Sequence, residues 1–149
     1  MPTDTVWQSD TLSHAYLTGV RGAIPLAAQQ IDVMLRLVAA ARGEDGVTAV
    51  LDLGCGDGIL GQAILDQHPA AHATFLDFSA PMLDAARTRL AAHGDRATFI
   101  QANYGEKGWQ SKLAEEQGSR GAEVSSFFSS APPRPFSSAI FLVLLAPFH

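Results

Sequence analysis

The run Thr48-Ala-Val-Leu-Asp-Leu-Gly-Cys-Gly-Asp-Gly-Ile-Leu-Gly61 decides the fold. From Thr48 to Leu53 it is mostly apolar and β-favouring, bounded by Gly46 before and Gly54 after, which is the pattern of a buried parallel strand. Gly54, Gly56 and Gly58 then fall at every second position, and Leu60, Ala63 and Ile64 take up helical spacing. Glycines at a strand-to-helix turn permit positive φ and let a ligand come close to the main chain. The helix that follows aims unpaired N–H groups at the same loop. The stretch reads as a strand–loop–helix cradle for a nucleotide.

Which nucleotide depends on the frame. Gly56-Asp-Gly-Ile-Leu-Gly61 spells the dinucleotide pattern G-x-G-x-x-G, and Asp77 follows at about 20 residues, as that pattern asks. The strand, however, ends at Gly54, so this frame starts late, and a frame starting at Gly54 needs glycine where Ile59 stands. In a second fingerprint an acid closes the strand just before the glycines: Asp52-Leu-Gly54-Cys-Gly56-Asp-Gly58. Val50-Leu-Asp-Leu-Gly-Cys-Gly-Asp-Gly58 resembles motif I of the class I S-adenosylmethionine-dependent methyltransferases. A sulfonium amino-acid cofactor suits that arrangement. It has a cationic ammonium for an acid and carbonyls to hold, and no pyrophosphate that needs a bare helix N-terminus.

The second strand supports the same choice. His72-Ala-Thr-Phe-Leu-Asp77 is strand-like and ends in an acid; Ser79 is a candidate N-cap and Pro81 fits the first turn of the helix after it. An ionised carboxylate only accepts hydrogen bonds, so Asp77 at a strand end suits both hydroxyls of a ribose. Dinucleotide-binding folds use an acid the same way, but the wording Asp77-Phe-Ser-Ala-Pro-Met-Leu-Asp-Ala-Ala86 is similar to the methyltransferase pattern. The resemblance implies that Asp52 organises the methionine end of the cofactor and that Gly54, Cys55, Gly56 and Gly58 allow close backbone approach. It also implies that Asp77 holds the ribose. Phe78 and Met82 are candidates to flank the adenine ring, although apolar residues at a helix start are more often core. Asn103, with Tyr104 beside it, stands where the family usually carries an Asp for the adenine amino group; it keeps a carbonyl acceptor and loses the charge. As a residue at a strand end, Asn103 equally reads as a turn former.

Outward from this centre the pattern continues. Leu26 to Arg42 places Ile31, Met34, Leu35, Val38 and Ala41 at helical spacing, with Gly43 as a stop. Leu83, Ala86 and Leu90 make a second buried stripe that stops at Gly94, and Ala97 to Tyr104 reads as a third strand. A short helix is expected over Trp109 to Glu116. From Gly118 the composition turns to Ser, Gly and Pro without period, the mark of a loop, before a last apolar run from Phe136 that reads as a fourth strand. Three regions follow: 1–46, an N-terminal arm and leading helix; 47–117, a βαβαβ cofactor-binding core; and 118–149, the loop and fourth strand. The words Tyr16…Arg21-Gly-Ala-Ile-Pro25 look similar to the arm with which small-molecule methyltransferases of this kind close on the cofactor, which marks Tyr16 and Arg21 as a lid; as packing aromatic and solvated cation they need no such role.

The expected fold is α/β: a Rossmann-like three-layer α/β/α arrangement with a mostly parallel sheet. Against the seven-stranded family fold, with strand order 3-2-1-4-5-7-6 by resemblance, it reads as shortened, with material for the first four strands. An apolar fourth strand at the sheet edge is then a place for self-association.

Composition adds exclusions. In 149 residues with net charge −5 there is no basic run, so no nucleic-acid surface is expected. One cysteine, Cys55, precludes an internal disulfide and fits a reducing compartment; no apolar run reaches membrane-spanning length, and Met1-Pro-Thr-Asp-Thr lacks the order of a signal peptide. The expectation is a cytoplasmic protein. His14, His68, His72, His93 and His149 show no metal-ligand spacing, and no His or acid is placed by sequence to activate Cys55 as a nucleophile. Asp57 in the glycine loop is a candidate cap for the helix that follows.

The leading functional expectation is S-adenosylmethionine-dependent methyl transfer to an undetermined, small-molecule acceptor, with no catalytic residue assigned. The alternatives are a shortened relative that binds cofactor or a partner protein without turnover, and an NAD(P)-dependent oxidoreductase resting on Gly56 to Gly61.

Overall fold

The computed structural model of the chain describes residues 9–20, 26–43, 46–117 and 139–143. In order, its elements are α1 (Asp10–Ala15) with a π-helical turn over Tyr16–Val20, α2 (Ala27–Arg42), β1 (Ala49–Leu53), α3 (Ile59–Gln67), β2 (His72–Asp77), α4 (Ala80–Arg89), a 3₁₀ segment (Ala91–Arg96), β3 (Ala97–Gln101), α5 (Trp109–Gln117) and β4 (Ala139–Val143). The strands form one sheet in the order β3-β2-β1-β4, parallel at every pairing. The expected Rossmann-like architecture is present, including the fourth strand, which joins β1 at its outer side.

Side-chain alternation along β1 builds the layers. Val50 faces a core shared with Val38 of α2, Ile64 and Leu65 of α3, and Leu83 and Ala86 of α4, while Leu51 and Leu53 face the opposite side with Leu76, Ile100 and Leu113 of α5. Helices therefore cover both faces, which is why these strands read as near-continuous apolar runs. Phe75 anchors the first layer: it has no exposed surface and its ring stacks on Phe99 at 5.4 Å between centroids and 21° between planes.

Local chemistry sets the helix ends. Ser79 caps α4, its Oγ accepting from the Met82 N–H at 3.4 Å, with Pro81 in the first turn. Gly43 ends α2 with φ 54°. The C-terminal end of α3 and the turn after it are met from a distance: Arg96 Nη1 donates to the carbonyl of Leu65 in the last turn (3.3 Å) and to those of His68 (3.4 Å) and Ala71 (3.3 Å) beyond it.

The structure differs from expectation in two boundaries. α4 ends at Arg89, and Gly94 lies inside the 3₁₀ segment at φ 57° and does not itself stop the helix. β3 ends at Gln101 and not at Tyr104: the Ala102 N–H makes the last bond to β2, at the Asp77 carbonyl (3.0 Å), and Asn103 then turns the chain by accepting from the Gly105 N–H. The Ser/Pro-rich stretch 118–138 lies outside the described residues.

Candidate cofactor-binding site

The loop after β1 is tied to β2 before it reaches α3. The N–H groups of Gly54 and Cys55 both donate to the Leu76 carbonyl, at 2.8 and 3.1 Å, and the Gly58 N–H turns back onto the Cys55 carbonyl at 2.9 Å. The path takes Gly54, Gly56 and Gly58 through φ 72°, 55° and 76°, a region that favours glycine. At Gly58 a side chain is also barred by space, since a Cβ would stand 2.8 Å from Leu90 Cδ1. Gly56 is different: among the described residues a Cβ there would meet nothing within 4 Å, so they leave the main chain open to a ligand at that point.

Asp77, the last residue of β2, comes up against this loop. Its Oδ2 accepts from the Gly56 N–H and its Oδ1 from the Ser79 N–H, each at 2.9 Å. A carboxylate offers about four lone-pair sites, so acceptor capacity remains for hydroxyl donors. Burial raises the Asp77 pKa above the usual carboxylate value, and the N–H groups of Ser79, Gly56 and Phe78 offset part of that rise.

Asp52 stands at the end of a buried strand, where a partner was expected, a cofactor ammonium or a backbone N–H. Its side chain is fully buried, and among the described residues neither carboxylate oxygen has a hydrogen-bond partner, so the backbone N–H is not the one that supplies it. Its pKa is pushed up to about 7, chiefly by burial; the nearby Gly61 N–H, outside hydrogen-bond geometry, opposes the rise and the charge on Asp77 adds to it. Partial protonation is how a carboxyl group escapes the cost of an uncompensated buried charge. Asp52 thus lies under the loop and presents no surface to its open side.

Gly61 has a packing task. A Cβ at this position would run into the Phe75 ring and stand 3.3 Å from Asp52 Oδ2. The third glycine of the apparent dinucleotide pattern is therefore required by the close approach of α3 to β2 and Asp52, whatever ligand the loop receives. β1 ends at Leu53, as the choice of frame required.

Around this centre the remaining candidates sort themselves. Burial, reinforced by the negative charges of Asp52 and Asp77, drives the Cys55 thiol far above its usual pKa, which makes it a poor nucleophile. Asp57 pairs with Arg89, at 2.6 Å between Oδ2 and Nη2, a partner in the last turn of α4 that no local spacing announced. Phe78 is half-buried next to Asp77, its carbonyl accepting from Gln101 Nε2 at 3.2 Å, and Met82 is buried in the first turn of α4. Asn103 spends its side-chain oxygen on the Gly105 N–H at 2.9 Å, with Nδ2 near Glu106 Oε1 at 3.4 Å, which is the turn-former's role; Tyr104 packs on the α5-side core. Tyr16 begins the π-helical turn after α1, but its side chain, like all of Arg21, lies outside the described residues, so the lid does too. Among the described residues no helix is long and apolar enough to cross a membrane.

Comparison with known proteins bears on this geometry. A family model described as a methyltransferase domain matches residues 50–119, from β1 through the end of α5. Ribosomal RNA small subunit methyltransferase C of Klebsiella pneumoniae is 32% identical over 100 residues, covering 67% of this chain and 29% of that protein. Its namesake in Salmonella choleraesuis is 49% identical over 54 residues, 36% of this chain and 16% of that protein. Among solved structures, an O-methyltransferase family protein from Burkholderia thailandensis superposes with a TM-score of 0.50 at 28% identity, over 65% of this chain and 28% of that one. The chain belongs to the class I S-adenosylmethionine-dependent methyltransferase family. It spans less than a third of the length of these relatives.

Proposed function

We propose that the chain binds S-adenosylmethionine over the Gly54–Gly58 loop and Asp77 and serves as the cofactor-binding part of a methyltransferase. One observation carries this reading: the acid that ends β2 is hydrogen-bonded to the middle glycine of the loop that ends β1, at the point where the main chain is open. The spare lone pairs of Asp77 accept the ribose hydroxyls, and the backbone of Gly54, Cys55 and Gly56 receives the methionine end. Phe78 borders the adenine. Met82 supports it from the buried start of α4, and Asn103 and Tyr104 lie on the adenine side, Asn103 through the lone pair its turn leaves over. Asp52 acts from beneath, through the loop and the first turn of α3. When bound, the cofactor supplies an electrophilic methyl group. Alignment of the two reactants, more than acid–base help, sets the rate of such a transfer, and no residue is assigned a catalytic role.

The acceptor is proposed as a small molecule, in keeping with a net charge of −5 and no basic run. A second reading, an RNA acceptor, is favoured by the relatives, which are named for ribosomal RNA. Transfer of labelled methyl to RNA or to small-molecule fractions separates the two. The cofactor reading is tested by calorimetric titration with S-adenosylhomocysteine, beside Asp77→Ala. We expect binding at about micromolar strength, weakened at least roughly tenfold in the variant, since a lost charged acceptor is worth that much. A folded wild-type chain that takes up no ligand would sink the proposal.

A further inference from the structure

Arg89 is the residue the site does not account for. It stands in the last turn of α4, 32 positions from Asp57, and grips that one residue twice: Nε donates to the Asp57 carbonyl at 3.0 Å and Nη2 to its Oδ2 at 2.6 Å. A third contact, from Nη1 to Gln62 Oε1 at 3.3 Å, reaches the first turn of α3. The Asp57 side chain is only 4% exposed and that of Arg89 32%, so the pair is no loose surface bridge.

Asp57 lies between Gly56 and Gly58, both at positive φ. Glycine gives up more conformational freedom on ordering than any other residue, so a loop of this kind holds one shape only if something holds it. Asp77 does so from β2, through the Gly56 N–H. Arg89 does so from α4, at the very next residue. The two restraints share a root, because Ser79, which caps α4, also donates its N–H to Asp77. Contacts therefore run in a closed ring: from Asp77 through Ser79 along α4 to Arg89, across to Asp57, and back through Gly56.

We propose that Arg89 is a positioning residue, which holds the Cys55–Gly58 main chain in its ligand-receiving shape without touching the ligand. The functional consequence rests on the cofactor reading above: a loop ordered beforehand spares the ligand the entropy of ordering it, and affinity depends on Arg89 through that route. Lysine at this position keeps the charge but cannot grip a carbonyl and a carboxylate from one rigid fork.

The test measures amide hydrogen exchange at Cys55–Gly58, with the β2 amides as internal reference, in wild type, Arg89→Ala, Arg89→Lys and Asp57→Asn. Each protein is also titrated with S-adenosylhomocysteine. In Arg89→Ala the loop amides should exchange faster while β2 is unchanged, and Kd should rise about tenfold; Arg89→Lys should fall between it and wild type. Loop exchange that stays as in wild type overturns the proposal. So does a rise shared equally by the loop and β2, which would mark a general loss of stability. A wild-type chain that binds no ligand removes the cofactor reading alone, and the exchange comparison still decides the clamp. Should Arg89→Ala fail to fold, the comparison is carried by Arg89→Lys and Asp57→Asn.

Discussion

Asp77 and Asn103 follow or end neighbouring strands and make the same local turn. Each accepts the N–H two residues ahead at 2.9 Å, Asp77 from Ser79 and Asn103 from Gly105. Their second polar atoms part company. The other oxygen of Asp77 reaches the Gly56 N–H, 21 residues away, whereas the amide nitrogen of Asn103 reaches Glu106, three residues on. Asp77 is buried and Asn103 half-buried. One turn is thus a brace between two strand ends, while the other closes on itself. A short polar residue at a strand end is common chemistry; what makes it part of a site is the long-range contact, and that depends on which loop the fold delivers to it.

The comparison can be broken most forcefully at its glycines. Gly61→Ala drives a methyl group into Phe75 and against Asp52, and overpacking of that kind costs about 3 kcal/mol in denaturant unfolding. Gly105→Ala meets only Oδ1 of the half-buried Asn103 side chain, at 3.1 Å, and should cost less than about 1 kcal/mol. Equal losses at the two positions would refute the distinction between the braced and the self-contained end.

A pH profile sharpens it next. Asp52 holds its proton up to about pH 7 in the folded chain and loses it near the ordinary carboxylate pKa when unfolded. Between those values the native state binds more protons, so stability falls as pH rises from about 4 to 7 and levels off above. Between pH 5 and 8 the decline should be on the order of 2 kcal/mol, and Asp77, also raised, acts in the same direction. Asp52→Asn should flatten the slope relative to wild type. Parallel profiles for the two proteins would show that Asp52 is charged in the fold.

The smallest effect belongs to the self-contained turn. Asn103→Ala should change stability by about 0.5–1 kcal/mol and leave the exchange of Gly56 untouched. A loss as large as that of Asp77→Ala would mean that the β3 end is braced as well.

Much of this was legible beforehand. β1, β2, the two helices between and after them, the Ser79 cap and the fourth strand all follow from short-range signals: strand-like runs, glycine at the turn, a hydroxyl before Pro81. Asp77 was legible because an acid at a strand end is itself such a signal. Less legible were the state of Asp52 and the end of β3. For Asp52, sequence states that a carboxylate is buried but not whether a donor comes within reach. For β3, the strand stops where its partner β2 does, at the Asp77–Gln101 pair, and that register depends on how two separate strands meet.

By itself, then, the order of residues determined the four strands, the helices from α2 onward and the family, since each rests on periodicity or on a motif read within a few residues, whereas α1 and the π-helical turn after it had no such signal. Tertiary structure alone decided that Gly61 serves packing, that burial raises the Asp52 pKa, and that Arg89 reaches back to Asp57. The physical reason is common to all three. Each depends on the distance and burial of groups far apart along the chain, and those quantities exist only once the parallel sheet has brought β1 and β2 side by side.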